Sequence, residues 1–174
     1  MRLKCVAMVN LNMFDPSNTE LSEGIIAARM LLAVALGGII GFDREWLDRP
    51  AGLRTHMLTA LAAALFTVIA LELHADVARE GGGRSDPIRV IEAVTAGVAF
   101  LAAGAIFRSG RDVKGLTTGA GMWLAGAIGV ACGVGYGIVA VMATVLATVI
   151  LVVVRWVEGR AKSGTKKNAR DSNG

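Results

Sequence analysis

Five stretches of about twenty apolar residues, separated by short polar segments, leave this chain few ways to fold. They run 24–42 with one charge, Arg29; 57–73 with one, Glu72; and 88–107 with two, Arg89 and Glu92. The last two, 116–133 and 134–154, carry none. A bilayer core about 30 Å thick needs roughly 20 apolar residues of helix at 1.5 Å each. Taken as one helix, 116–154 would be about 58 Å long, too long for a single crossing. The glycines of CGVGYG therefore mark a tight reversal. The expected fold class is all-α: a polytopic transmembrane helical bundle of five spans.

The segment 41–56, GFDREWLDRPAGLRTH, lies between the first two runs and is strongly polar. A soluble fold would make it a surface loop between buried helices; a membrane fold puts it at the water boundary. Composition favours the membrane. The chain is 54% hydrophobic and 18% charged with a mean hydropathy of +0.58, against about 45–50% and 25% for an ordinary soluble domain. Its 22 glycines and scarce aromatics suit helices packed closely in lipid.

Basic residues orient the spans. With the N-terminus outside, the inside segments hold Arg44, Arg49, Arg54, Arg108, Arg111, Lys114, Arg155, Arg160, Lys162, Lys166, Lys167 and Arg170. The outside segments hold Arg2, Lys4, Arg79 and Arg84, with Arg89 at a boundary. That bias predicts N-terminus out and C-terminus in. The organisation follows: an outside arm over 1–23, a transmembrane domain over 24–157, and a basic disordered cytoplasmic tail over 158–174 attracted to anionic lipid. MRLKCVAMVNLNMF resembles a signal peptide only superficially, because Asn10 and Asn12 interrupt its apolar part. Cys5 and Cys132 build neither a disulfide framework nor a zinc site, and no cofactor is expected. No aromatic platform accompanies the basic tail, which argues against nucleic acid.

Small residues recur at helical spacing: Ala33, Gly37 and Gly41 in the first span, Gly115, Gly119, Gly126 and Gly129 around the fourth. Such stripes pack helices within one chain, or join two copies in a homo-oligomer. Ionisable groups inside spans are the other exceptions. Arg29 and Glu92 lie about 7.5 and 6 Å below the outer starts of their helices, and Glu72 lies near the outer end of its own. An outer-side cluster of Arg29, Glu72, Asp86, Arg89 and Glu92 is therefore expected, with Arg29 pairing Glu92 or Glu72. It reads as a helix-stapling ion pair, or as a shallow mouth where Glu72, Asp86 and Glu92 offer the oxygens Mg²⁺ prefers. On the cytoplasmic side, Thr117 and Thr118 are placed to cap the fourth span, and to share a polar cluster with Asp43, Glu45 and Arg54. His56 beside Arg54 reads as a structural hydrogen-bond partner rather than an acid/base partner of Asp43.

RPAGLRTHMLTALAAALF, DPIRVIEAVTAGVAFLAAGAIF and VKGLTTGAGMWLAGAIGVACGVGYGIVA, in that order, resemble the MgtC/SapB family of bacterial inner-membrane proteins. Asp43, Arg44, Glu45, Gly52, Arg54, Thr55 and His56 match its first block, with Asp43 where Glu is usual in G-x-E-R-E. Asp86, Pro87 and Arg89 match the second, and Gly115, Leu116, Thr117, Thr118 and Trp123 the third. The third span departs from the pattern, with Ala96, Ala99 and Ala102 at small-residue positions and Ala93 where Gln is usual. The resemblance implies a multi-pass inner-membrane protein tied to magnesium homeostasis, growth at low Mg²⁺ and survival in host cells. It also implies a short form, without the C-terminal soluble domain of longer relatives.

The cytoplasmic candidates from the motifs are Asp43, Arg44, Glu45, Arg54, Thr55, His56, Thr117 and Thr118. No GxxxxGK[ST] phosphate loop supports ATPase chemistry, and no catalytic residues are assigned. Two function classes remain. One is a non-enzymatic regulator that binds a membrane partner, for which the resemblance suggests the proton-translocating ATP synthase. The other is a transporter or channel for Mg²⁺ or a small solute. The absence of an internal repeat and of an acidic residue near a span's centre favours the first.

Overall fold

A computed structural model describes residues 19–47, 49, 51–79, 86–109 and 112–171, with side chains through 157 except at 109, and at 160. The expected outside arm therefore lies largely outside the described residues, as do 80–85 and the tip 110–111. Five helices account for the apolar runs: α1 Glu23–Trp46, α2 Leu53–Arg79, α3 Pro87–Gly104, α4 Leu116–Val134 and α5 Gly137–Asp171. Each is long and apolar enough to cross a bilayer, and the fold is a five-span transmembrane bundle.

The boundaries move for local reasons. α2 starts four residues before the expected apolar run because a carboxylate from α1 caps it. The third helix stops at Gly104 rather than 107, where the Ala105 amide folds back on Ala102 O. Phe107–Ser109 (β1) then pairs antiparallel with Asp112–Lys114 (β2), in register Phe107 with Lys114 and Ser109 with Asp112. The expected cytoplasmic turn is thus a β-hairpin. Between α4 and α5 the reversal falls at Gly135, φ +102°. Gly135 N–H donates to Cys132 O at 3.0 Å and Tyr136 N–H to Ala131 O at 2.8 Å, the Schellman closure of a helix end. α5 continues to Asp171, where a disordered tail is expected from 158. Extending a formed helix needs no new nucleus, and Arg160, Ala161, Lys162, Lys166 and Lys167 are good helix formers.

α1 packs along α2 and α2 along α4, with α1 also meeting α4; α3 lies against α4 and α2, and α5 against α1 and α4. The core gathers Ala33, Leu36 and Ile40 with Ala60, Ala64, Ile128, Cys132 and Ala140. Small side chains let the backbones come within touching distance. A Cβ on Gly37 would sit 2.8 Å from Ala60 Cβ, and one on Gly129 would overlap Ala60 O. The stripes read from the sequence therefore pack helices within this chain. Core hydroxyls are satisfied along their own helices: Thr67 Oγ1 donates to Ala63 O at 2.7 Å and Thr144 Oγ1 to Ala140 O at 2.9 Å, as a water-free interior requires. Large apolar side chains face outward, Phe100 at 80% and Ile138 at 79% exposure. Apolar surface on that scale belongs against lipid.

Candidate functional site

The bundle has two polar ends, and they differ. At the first, α1 finishes, α2 begins, the hairpin turns, α4 begins, and α5 passes at Arg155. Here the last turn of α1 sends Asp43, Arg44 and Glu45 in three directions. Glu45 Oε2 accepts the N–H of Leu53 at 3.0 Å, so α1 caps the start of α2. Gly52 makes room for this, since a Cβ there would overlap the Glu45 carboxylate. Gly52 O in turn accepts from Thr55 Oγ1 at 2.8 Å and from His56 Nδ1 at 2.9 Å. The imidazole is wholly buried. Its contact with a carbonyl assigns the proton to Nδ1, while Nε2 is buried without a partner among the described residues. Asp43 Oδ1 pairs with Arg155, tying α1 to α5, and does not meet His56. Arg54 is exposed on α2.

Arg44 turns inward and is only 4% exposed. With Arg49, Lys114, Thr117 and Thr118 it lines a cavity of about 540 Å³ between the end of α1, the hairpin and the start of α4. An adjoining cavity of about 180 Å³ is bounded by Asp43, Arg44 and Arg155. The two threonines do not cap α4 as expected. The N-cap is Gly115 at φ +87° with no side-chain cap bond, and a Cβ there would overlap Ala105 O. The chain leaves the hairpin so close to the end of α3 that only glycine fits. This shifts Thr117 and Thr118 into the first turn, Thr118 buried and Thr117 exposed. Arg49, Lys114 and Arg155 complete this end; in the sequence they count only as topology charges.

At the opposite end the expected acidic-basic cluster is not assembled. Arg29 Nη1 donates to Gly133 O at 2.8 Å and clasps the α4–α5 turn, pairing with neither Glu72 nor Glu92. Carbonyls in a helix's last turn lack intrahelical donors and carry the negative end of its dipole. Glu72 accepts the N–H groups of Glu20 at 2.6 Å and Leu21 at 3.1 Å, holding the entry to α1. Asp86 caps α3 through Ile88 N–H at 3.0 Å, while Arg89 and Glu92 are exposed. Arg79, absent from the expected cluster, pairs with Glu20 and reaches Asp76 at 3.5 Å. Among the described residues no group of three His, Cys, Asp or Glu side chains could hold a metal ion.

Residues 30–160, which contain the whole basic end, match the MgtC family. Protein MgtC of Brucella abortus is 43% identical over 107 residues, 62% of this chain and 42% of its own. Protein MgtC of Salmonella typhimurium is 39% identical over 104 residues, 60% of this chain and 41% of its own. An uncharacterised protein of Synechocystis is 38% identical over 114 residues, 66% and 44% respectively. This chain thus spans less than half the length of the curated relatives it matches. No solved structure matches it. With the matched region running from α1 through the span of α5, the chain belongs to the MgtC family.

Proposed function

We propose that this protein is a non-enzymatic regulator of the bacterial inner membrane, linked to magnesium homeostasis and growth at low Mg²⁺, acting by binding another membrane protein. The resemblance implies ATP synthase as one such partner. In this reading the N-terminus lies outside, and the basic end, with Arg44, Arg49, Lys114 and Arg155, faces the cytoplasm. The observation that carries it is what the carboxylates do. Glu45 caps α2, Asp86 caps α3, Glu72 holds the entry to α1 and Asp43 pairs with Arg155. A Mg²⁺ pathway needs oxygen ligands converging on a route, whereas these are committed to helix ends and to one ion pair. The α1–α2–α4 interior is closed by glycine-to-backbone contact.

The test is Mg²⁺ flux into liposomes containing only the purified protein, with low-Mg²⁺ growth of a deletion strain measured alongside. The expected result is no saturable uptake together with a growth defect that the gene restores. Saturable uptake abolished by Asp86→Asn or Glu92→Gln would establish a carrier instead.

A further inference from the structure

α4 opens onto a cavity with its first turn uncapped. Gly119 N–H makes the first i→i−4 bond, to Gly115 O at 2.8 Å, so the amides of Leu116, Thr117 and Thr118 precede the ladder, and among the described residues no side chain caps them. A nineteen-residue helix ending this way presents N–H donors and the positive end of its dipole together. Helix ends of this kind bind phosphate in many folds.

Arg44 is the second, independent observation. It is 96% buried, lines the same cavity, and its Nε has no hydrogen-bond partner among the described residues. A buried guanidinium with an unsatisfied donor is costly unless an anion completes it. The neighbouring acid is shared: Asp43 Oδ1 is engaged by Arg155, while its Oδ2 is buried without a hydrogen-bond partner among the described residues. The cavity wall carries Arg44, Arg49 and Lys114 from three different segments, with Thr117 and Thr118, and among the described residues no carboxylate lines it. Its volume of about 540 Å³ is in the range of small-ligand sites, about 300–1,000 Å³.

We propose that this cavity binds a phosphoryl oxyanion, held by Arg44, Arg49 and Lys114 and by the first-turn amides and hydroxyls of α4. The guanidinium fork suits two oxygens of a tetrahedral group, and the helix end supplies donors for a third. The same chemistry is offered by free phosphate and by the headgroup of an anionic phospholipid. The inference stands apart from the regulatory reading above and does not depend on it.

The test uses the full chain, purified in neutral detergent, in two arms. In one, inorganic phosphate is titrated against chloride at constant ionic strength, with the thermal midpoint as readout. In the other, the midpoint is compared between nanodiscs of phosphatidylcholine alone and nanodiscs also containing phosphatidylglycerol. A phosphate-specific rise assigns the site to soluble phosphate, and a rise confined to phosphatidylglycerol assigns it to lipid; either supports the proposal. Lys114→Gln and Arg49→Gln, both at exposed positions, should each weaken the response about tenfold, the equivalent of one charge-assisted contact. Arg44→Gln should abolish the response while leaving the anion-free midpoint unchanged or higher; if it does not fold, the two exposed variants decide. Arg79→Gln, at the other end, should respond like the parent. No rise in either arm overturns the proposal, as does a rise that survives in Lys114→Gln and Arg49→Gln.

Discussion

A charged side chain inside an apolar helix usually prompts a search for an opposite charge, but Arg29 binds a backbone carbonyl. Any residue at 133 offers that acceptor, so no sequence motif could reveal the partner; only the helix end, which happens to fall there, supplies it. Charge-assisted hydrogen bonds of this type contribute about 1.5–3 kcal/mol. Arg29→Met should therefore lower stability by about 1.5–3 kcal/mol, read as the loss of thermal midpoint in detergent. Glu92→Gln, at an exposed position on α3, should leave the midpoint unchanged. Equal losses in both variants would restore the carboxylate pairing expected from depth alone. The Thr117–Thr118 pair teaches a related lesson. Threonines beside a glycine read as caps, yet the left-handed Gly115 takes the cap position and starts the helix ahead of both, and the hairpin that dictates this has almost no local signal. Gly115→Ala meets both a positive φ and the Ala105 carbonyl. It should destabilise by about 1–3 kcal/mol, measured in the same assay.

Helix by helix, glycine spacing foretells contact but not which contact. On α4, Gly126 lies over Val98 of α3, while Gly129 and Gly133 press on the α2 backbone at Ala60 and Ala64. A Cβ on Gly97, by contrast, meets nothing within 4 Å. The two sites look alike in the sequence and should respond oppositely. Gly129→Ala forces α2 and α4 apart and should cost about 1–3 kcal/mol. Gly97→Ala should be neutral or stabilise by up to about 1 kcal/mol through helix propensity. Paired thermal melts check this, and a loss for Gly97→Ala matching that of Gly129→Ala would show that α3 packs differently. The five spans themselves were legible because lipid imposes a length on every apolar helix. Their ends were less so: Glu45 starts α2 early and the hairpin cuts α3 short, both through contacts made by the short segments that flank the apolar runs.

For the molecule as a whole, sidedness follows from where the bundle collects its cations. The end of α1, the hairpin and the passing turn of α5 bring Arg44, Arg49, Arg54, Lys114 and Arg155 to one end. The other carries Glu20, Glu72, Asp76 and Asp86 with Arg29, Arg79 and Arg89. Lys and Arg near span ends are retained on the cytoplasmic side, so the first end should face inward. Trp46 and Trp156, both exposed, stand near that end, where indole rings settle at the headgroup level. Reporter fusions provide the measurement. Alkaline phosphatase joined after Lys114 or after Asp171 should be inactive, and a cytoplasmic fluorescent reporter at either point should be bright. A reporter placed within 80–85 should behave in the opposite way, because α2 ends before these residues and α3 begins after them. Reversed signals at the two inner points would place the arginine-rich cavity outside. That would overturn the cytoplasmic regulatory reading, while the chemistry proposed for Arg44 and the start of α4 would stay testable in nanodiscs, where both faces are open to the ligand.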